Sequence, residues 1–329
     1  TARPLVYKFE NGGIVASTDF RHATKGGVFS QPNAVAVNEM HVHAVFAEPV
    51  LNYCSHDLGI PWSRILANAI RGEYSEIIAL GAGARDAYMF GRKANVYYFV
   101  AAQYPNEVWE MEIQANIQPS VGASLAVSPD GKLAALCQLS GLLLIDTTTR
   151  KVTPVQIPRA NQPAHIVFSH DGQWVYCAHM TRSPAPGPPP LRLDIGSNLI
   201  VTRVPVGNPG AIQSVPLPDV ASGFSLIAKT GQTVANSTPK EQFALSLAPS
   251  PDGRSLFVSA GTKIMRIELP GLRLHQWGAT VELPCRLACV KEGSGNTWTV
   301  YALGSYYKGD GAKVDEYKTH LYAIQAPKN

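Results

Sequence analysis

Ser124 to Gln156 reads SLAVSPDGKLAALCQLSGLLLIDTTTRKVTPVQ. The first apolar run, Leu125 to Val127, is followed by a Ser-Pro-Asp-Gly turn and a second run from Leu133 to Cys137. A Ser-Gly turn, a third run ending at Ile145-Asp146, a Thr-rich turn and a fourth strand-like segment from Val152 to Ile157 complete the unit. Short apolar runs separated by Gly, Pro, Asp and Ser are the pattern of strands joined by tight turns. Four such strands cannot bury both faces alone, so the unit predicts copies of itself stacked alongside.

The landmarks recur. Gln-Pro precedes an apolar run at Gln31-Pro32, Gln118-Pro119 and Gln162-Pro163, and Asp-Gly turns stand at Asp130-Gly131, Asp171-Gly172 and Asp252-Gly253. The separations are 44 residues from 118 to 162, 87 from 31 to 118 and 81 from 171 to 252, that is, one, two and two repeats. Outward from the central unit, NAVAVNEMHVHAVFAEP from Asn33 predicts two strands and Ala87 to Glu112 predicts three. HIVFSHDGQWVYCAHM from His165 and FALSLAPSPDGRSLFVSAGTKIMRIELP from Phe243 restate the unit. LACV, TWTVYALGSY and THLYAIQA close the chain. The expectation is an all-β fold in a single domain over 1–329, a β-propeller of seven blades, with six as the alternative count. Six units are legible, and the zone from Leu199 to Thr238 is where a seventh would lie. An open edge strand templates aggregation, so the N-terminal strand Leu5 to Phe9 is expected to pair with the last strand near Leu321 to Ile324 and close the ring.

The Ser-Pro-Asp-Gly-Lys and Ser-Pro-Asp-Gly-Arg turns, together with Leu-Leu-Ile-Asp, resemble the seven-bladed β-propellers of the YVTN and lactonase-like type, clearly over 118–180 and 242–270. No Trp-Asp dipeptide marks a WD40 propeller. That family includes lactone hydrolases, subunits of amine-oxidising dehydrogenases and surface-layer proteins, and the resemblance implies that any active site lies near the central channel on one rim. No catalytic motif transfers to a position of this sequence, because the resemblance is carried by turns.

Composition narrows the classes. The 329 residues are 45% hydrophobic and 16% charged, with 28 Gly and 25 Pro, which favours many turns over long salt-bridged helices. A net charge of +4 without a run of Lys and Arg among aromatics lacks the electrostatic footprint of a nucleic-acid binder. No apolar stretch reaches the length of a membrane span. The N-terminus, Thr1-Ala2-Arg3-Pro4, has no hydrophobic signal region, so a signal was either removed or never present. Among five cysteines, Cys137 and Cys177 fall on apolar runs as buried thiols, and Cys285 and Cys289 are roughly 13 Å apart along a strand, too far to bridge. One disulfide through Cys54 stays open. The compartment is thus undecided, with an extracytoplasmic or secreted setting preferred.

Three segments interrupt the repeat. From Pro61 to Gly72, Trp62, Ile65, Leu66, Ala69 and Ile70 keep helical spacing, with Pro61 suited to a first turn and Gly72 to a C-terminal cap; a third blade strand is the alternative. Ser183 to Pro190 is a proline-rich, extended loop. Tyr306 to Tyr317 is expected to be a solvated hairpin loop, and its acidic residues miss the EF-hand spacing.

Chemistry-bearing residues are sparse. His41 and His43 share one face of a predicted strand, and His56-Asp57 follows a turn, which makes these four the catalytic or metal-ligating candidates against a simply polar strand face. His165, His170 and His179 bracket two strands of one repeat and meet only if several loops share a rim. Gly81 to Arg85 lacks a phosphate-loop Lys and reads as a turn. No cofactor or metal set can be named. The leading expectation is a non-catalytic module for protein binding or assembly, with Trp62, Ile65, Leu66 and Ile70 as a partner-binding stripe and Trp62 as its anchor. The alternatives are a lactonase-like hydrolase or lyase holding a small molecule at the channel, and a structural component of a surface layer or particle.

Overall fold

The computed structural model describes residues 5–10, 13–19, 32–37, 42–46, 51–55, 74–83, 86–103, 107–114, 124–138, 141–157, 160–181, 199–217, 245–309 and 314–328. Every regular element among them is a strand, so the all-β expectation holds. Two compact units are distinguished, 1–136 with 144–153, and 137–143 with 154–329.

In the first unit β1 (Leu5–Glu10) pairs with β2 (Gly13–Asp19), and β3 (Pro32–Val37), β4 (Val42–Phe46) and β5 (Leu51–Ser55) form a three-stranded sheet. The strands β6 (Glu76–Ala82), β7 (Asp86–Lys93), β8 (Val96–Gln103) and β9 (Glu107–Glu112) make a four-stranded sheet in chain order. The first strands β3, β6 and β10 (Leu125–Val127) run side by side. Gly81 and Gly83 are the reason β6 can approach β10: a Cβ on Gly81 would meet Leu125 at 3.1 Å, and one on Gly83 would meet Val127 at 3.3 Å. Gly81 and Ala82 therefore belong to a strand, not to the expected turn. Met89, Phe90 and Phe99 are wholly buried in this sheet, each stabilising the fold by about 2 kcal/mol.

The central unit folds as its sequence predicts. β10, β11 (Leu133–Gln138), β12 (Gly141–Asp146) and β13 (Val152–Gln156) form one antiparallel sheet in chain order. In the second unit β14 (Ala160–Phe168), β15 (Trp174–Thr181), β16 (Leu199–Pro205) and β17 (Gln213–Leu217) form another, as do β18 (Leu245–Pro249), β19 (Ser255–Ala260), β20 (Lys263–Glu268) and β21 (Arg273–Thr280). β22 (Cys285–Glu292), β23 (Thr297–Gly309) and β24 (Val314–Pro327) make a three-stranded sheet. The first strands β14, β18 and β22 are neighbours here too. Leu199, Val201 and Leu217 pack with Leu247, Leu256 and Ile267, while Ala248 and Phe257 pack with Leu287, Val300 and Ala326. Four-stranded antiparallel meanders whose first strands lie side by side are the layout of propeller blades.

One turn is built three times. Gly131, Gly172 and Gly253 all hold positive φ, at 73°, 70° and 69°. In each turn the Ser hydroxyl three residues before the Gly donates to the Asp carboxylate, at 2.8 Å for Ser128, 2.5 Å for Ser169 and 2.6 Å for Ser250. The same hydroxyl oxygen accepts the amide of Leu133, Trp174 or Ser255. These hydrogen bonds hold Asp130 and Asp171 below the usual carboxylate range.

β1 is hydrogen-bonded to β2 with Glu10 opposite Gly13, and β24 to β23. Two expectations are corrected. Leu199 to Leu217 is not a separate repeat but supplies the outer half of the β14–β17 sheet, separated from its first half by 182–198. The Tyr306 to Tyr317 segment is mostly ladder, because Tyr306 pairs with Lys318 and Gly309 with Val314, and only 310–313 lies between the strands.

Candidate functional site

The first strands of the second unit are joined by side chains. His165 on β14 takes the amide hydrogen of Leu247 on β18 at its Nδ1, over 3.2 Å, and the Ser246 hydroxyl donates to the Leu287 carbonyl on β22 at 3.4 Å. A ring nitrogen that accepts a backbone N–H carries no proton, so the neutral imidazole has its hydrogen on Nε2. His165 is crowded on nearly all sides yet keeps part of its surface open. Burial, and then the positive charge of Arg286 on β22, lower its pKa to about 4, so the ring is neutral at physiological pH. Arg286 is exposed and, among the described residues, makes no hydrogen bond or ion pair.

The last sheet presents two different faces. Leu287, Val300, Ala302 and Ala326 turn inward onto the β18–β21 sheet. On the other face Arg286, Leu303 and Leu321 lie directly opposite one another across three strands, and past a bulge near Ala288 so do Cys289, Tyr301 and Ala323. Leu303 is 44% and Leu321 37% exposed. The Lys291 ammonium sits 5.0 Å over the Tyr301 ring. The face combines an aliphatic pair, an aromatic and two cations.

The expected site residues fare differently. His43 occupies β4 opposite Ala36 and Cys54, whereas His41, His56 and Asp57 lie outside the described residues, as do Trp62, Ile65, Leu66 and Ile70 and the 183–190 segment. The histidines of the β14–β15 region do not converge. His165 faces β18, His170 is exposed with Nε2 3.4 Å from the Pro249 carbonyl, and His179 is buried with Nε2 2.7 Å from Thr202 Oγ1. Cys137, Cys177, Cys285 and Cys289 are free thiols, and a hydrogen bond with Cys137, reinforced by burial, pushes the Cys177 thiol well above its ordinary pKa. Among the described residues no group of three or more His, Cys, Asp or Glu is placed to hold a metal ion. Sequence reasoning missed Arg286, Leu303 and Leu321. The signal was present in Thr297 to Tyr306, whose alternate positions are apolar on both faces.

Scanned against protein-family models and against curated proteins, the sequence matches none. Among solved structures it is similar to TolB from Acinetobacter baumannii, with 12% identity over 81% of this chain and a TM-score of 0.44. It is also similar to apo AztD from Citrobacter koseri, with 10% identity over 76% of this chain and a TM-score of 0.44. The chain spans only 60% and 59% of those two structures. At that distance the likeness names no family, and the fold rests on the sheets themselves.

Proposed function

We propose that this chain is a seven-bladed, non-catalytic β-propeller that serves as a protein-binding or assembly module, with its partner seated on the outward face of the β22–β24 sheet. The observation that carries the reading is the exposed Leu303–Leu321 pair, set opposite each other on adjacent strands beside Arg286 and Tyr301. Exposed apolar patches rimmed by polar groups mark interaction surfaces, and Arg and Tyr are enriched at the energetic centres of interfaces. Seven antiparallel sheets among the described residues, one of them the two-stranded β1–β2 hairpin, support the count of seven. Two cations and no carboxylate in the Arg286 to Lys291 part of the face fit a partner with acidic groups around an apolar centre.

The test compares the full chain with Leu303→Asp and Leu321→Asp, each followed by thermal melting and by light scattering with extract from the native source. Exposed substitutions away from special features shift stability by within about 0.5 kcal/mol, so melts are expected to be unchanged. A complex formed by the native chain and lost by both variants supports the module, and its stoichiometry separates a discrete partner from a self-assembled layer. Equal association by all three proteins, or none by the native chain, overturns the reading.

A further inference from the structure

We propose that the outer edge of β24 is a self-association site, where a second copy of this chain lays its own β24 antiparallel and two three-stranded sheets become one of six. β24 stands last in its sheet, and among the described residues no strand pairs with its other edge. At 14 residues it is the longest strand described. Its ladder with β23 runs without a shift from Thr297 opposite Pro327 to Lys308 opposite Glu316. A long, regular edge presents a row of unpaired N–H and C=O groups, which is a template for a strand of another chain.

The other outer strands each carry a feature that blocks such pairing. β9 holds Glu107, Glu110 and Glu112, while β13 and β17 contain Pro154 and Pro216. The ladder of β21 is irregular opposite Met265 to Ile267, and that of the β1–β2 hairpin at Lys8-Phe9. β5 has only five residues. Charges, prolines without an N–H, bulges and short length are the means by which sheet edges are kept from associating. From Thr319 to Ala326 β24 reads THLYAIQA, with no Pro, Asp, Glu, Lys or Arg and no break in its ladder.

The same absence of fixed charge selects the occupant. An oppositely charged partner has nothing on this segment to recognise, whereas two identical copies meet there without like-charge repulsion. Antiparallel pairing about a two-fold axis normal to the sheet matches the donors of each strand to the acceptors of the other, so one edge serves both copies. That axis also sets outward face beside outward face. Leu321, 37% exposed, and the exposed Ala323 then lie next to the same residues of the second copy, and the two Leu303–Leu321 rows join into one apolar surface. The edge is independent of the docking reading, because it uses the backbone of β24 and needs no other protein.

The experiment is sedimentation velocity of the purified full chain from about 1 to about 100 μM, bracketing a Kd on the order of 10 μM expected of a small interface. Amide hydrogen exchange of β24 is followed at both ends of that range. A dimer at high concentration is expected, with alternate amides of 319–326 open in the monomer and protected in the dimer. Ala323→Lys sets an ammonium on the exposed edge and should weaken dimerisation at least about tenfold with an unchanged melt. Leu303→Asp, one strand further in, should leave the dimer intact, so that losing it does not coincide with losing a partner on the outward face. The proposal is overturned by a monomer at every concentration or by Ala323→Lys associating as the native chain does. Two further results overturn it: alternate amides already protected at the lowest concentration, which would mean that a strand of the same chain covers the edge, and Leu303→Asp abolishing the dimer as fully as Ala323→Lys.

Discussion

The amide of Leu247 is fastened to the Nδ1 of His165 across 3.2 Å, so a half-buried imidazole bridges the first strands of two successive sheets. The bridge requires a neutral ring. Below about pH 6.5 an unfolded histidine takes up a proton, whereas the folded one does so only near 4. The unfolded state therefore binds more protons across that window, and stability declines as the pH falls through it, by about 3 kcal/mol at most. Above 6.5 the contribution is complete. Urea unfolding from pH 7 to 4 should show a decline that is shallower in His165→Asn; parallel curves for the two proteins would refute the assignment.

Gly253 and Gly207 separate backbone strain from crowding. A Cβ on either would meet nothing within 4 Å, but Gly253 holds φ at 69° and Gly207 does not lie in the left-handed region. Gly253→Ala should lose about 1 kcal/mol from conformational strain alone, and Gly207→Ala should be neutral or slightly stabilising. Chemical denaturation of the two variants side by side provides the check.

Gly141 answers to a different constraint. A Cβ there would lie 2.0 Å from the Val155 carbonyl oxygen and 3.1 Å from the Ile157 nitrogen, both backbone atoms, so β12 and β13 would have to separate. Gly141→Ala should lose about 3 kcal/mol or more, with a lowered yield of folded protein. A melt within a degree or two of the native chain would show that the two strands are more loosely joined than described.

The central unit was legible to within a residue at the strand ends. Its four predicted strands became β10 to β13, and the Ser-x-Asp-Gly turns proved equivalent, because hairpin chemistry is local and written in adjacent residues. The outer half of the β14–β17 sheet was not legible, since 182–198 intervenes and register across such a gap is fixed by packing alone. The last hairpin hid its length for a related reason: Tyr306 to Gly309 and Val314 to Tyr317 have a polar composition, yet the ladder continues through them, with Tyr307 opposite Tyr317 and, past a bulge, Gly309 opposite Val314. His43 stood out by residue type, while Arg286 and Leu303 did not, because exposure on a sheet face depends on what the neighbouring sheet leaves uncovered.

Arg266 and Leu144 hold equivalent places. Each precedes by three the residue whose amide returns to the turn, Leu269 to the Arg254 carbonyl and Thr147 to the Lys132 carbonyl. One sheet fills that place with an aliphatic, so Arg266→Leu should be tolerated better than Arg266→Ala, which leaves a cavity as well as unpaired acceptors at Ser255 and Pro327. The alanine variant should lose about 3 kcal/mol. Urea midpoints in the reverse order would mean that the guanidinium matters for its hydrogen bonds more than for its volume.

Because each four-stranded sheet joins strands that follow one another in the chain, its ladder contacts close short loops, the β15–β16 pairing across 182–198 excepted. Such hairpins form in roughly 1 to 10 microseconds, whereas pairing distant segments is slow. The sheets can therefore assemble as local units, as translation releases them from the ribosome in order. What must wait is the lateral seating of one first strand on the next, where Gly81 meets Leu125 and His165 meets Leu247. Substitutions at those seams are expected to slow refolding, while those in the Ser-x-Asp-Gly turns alter the speed at which a single sheet forms.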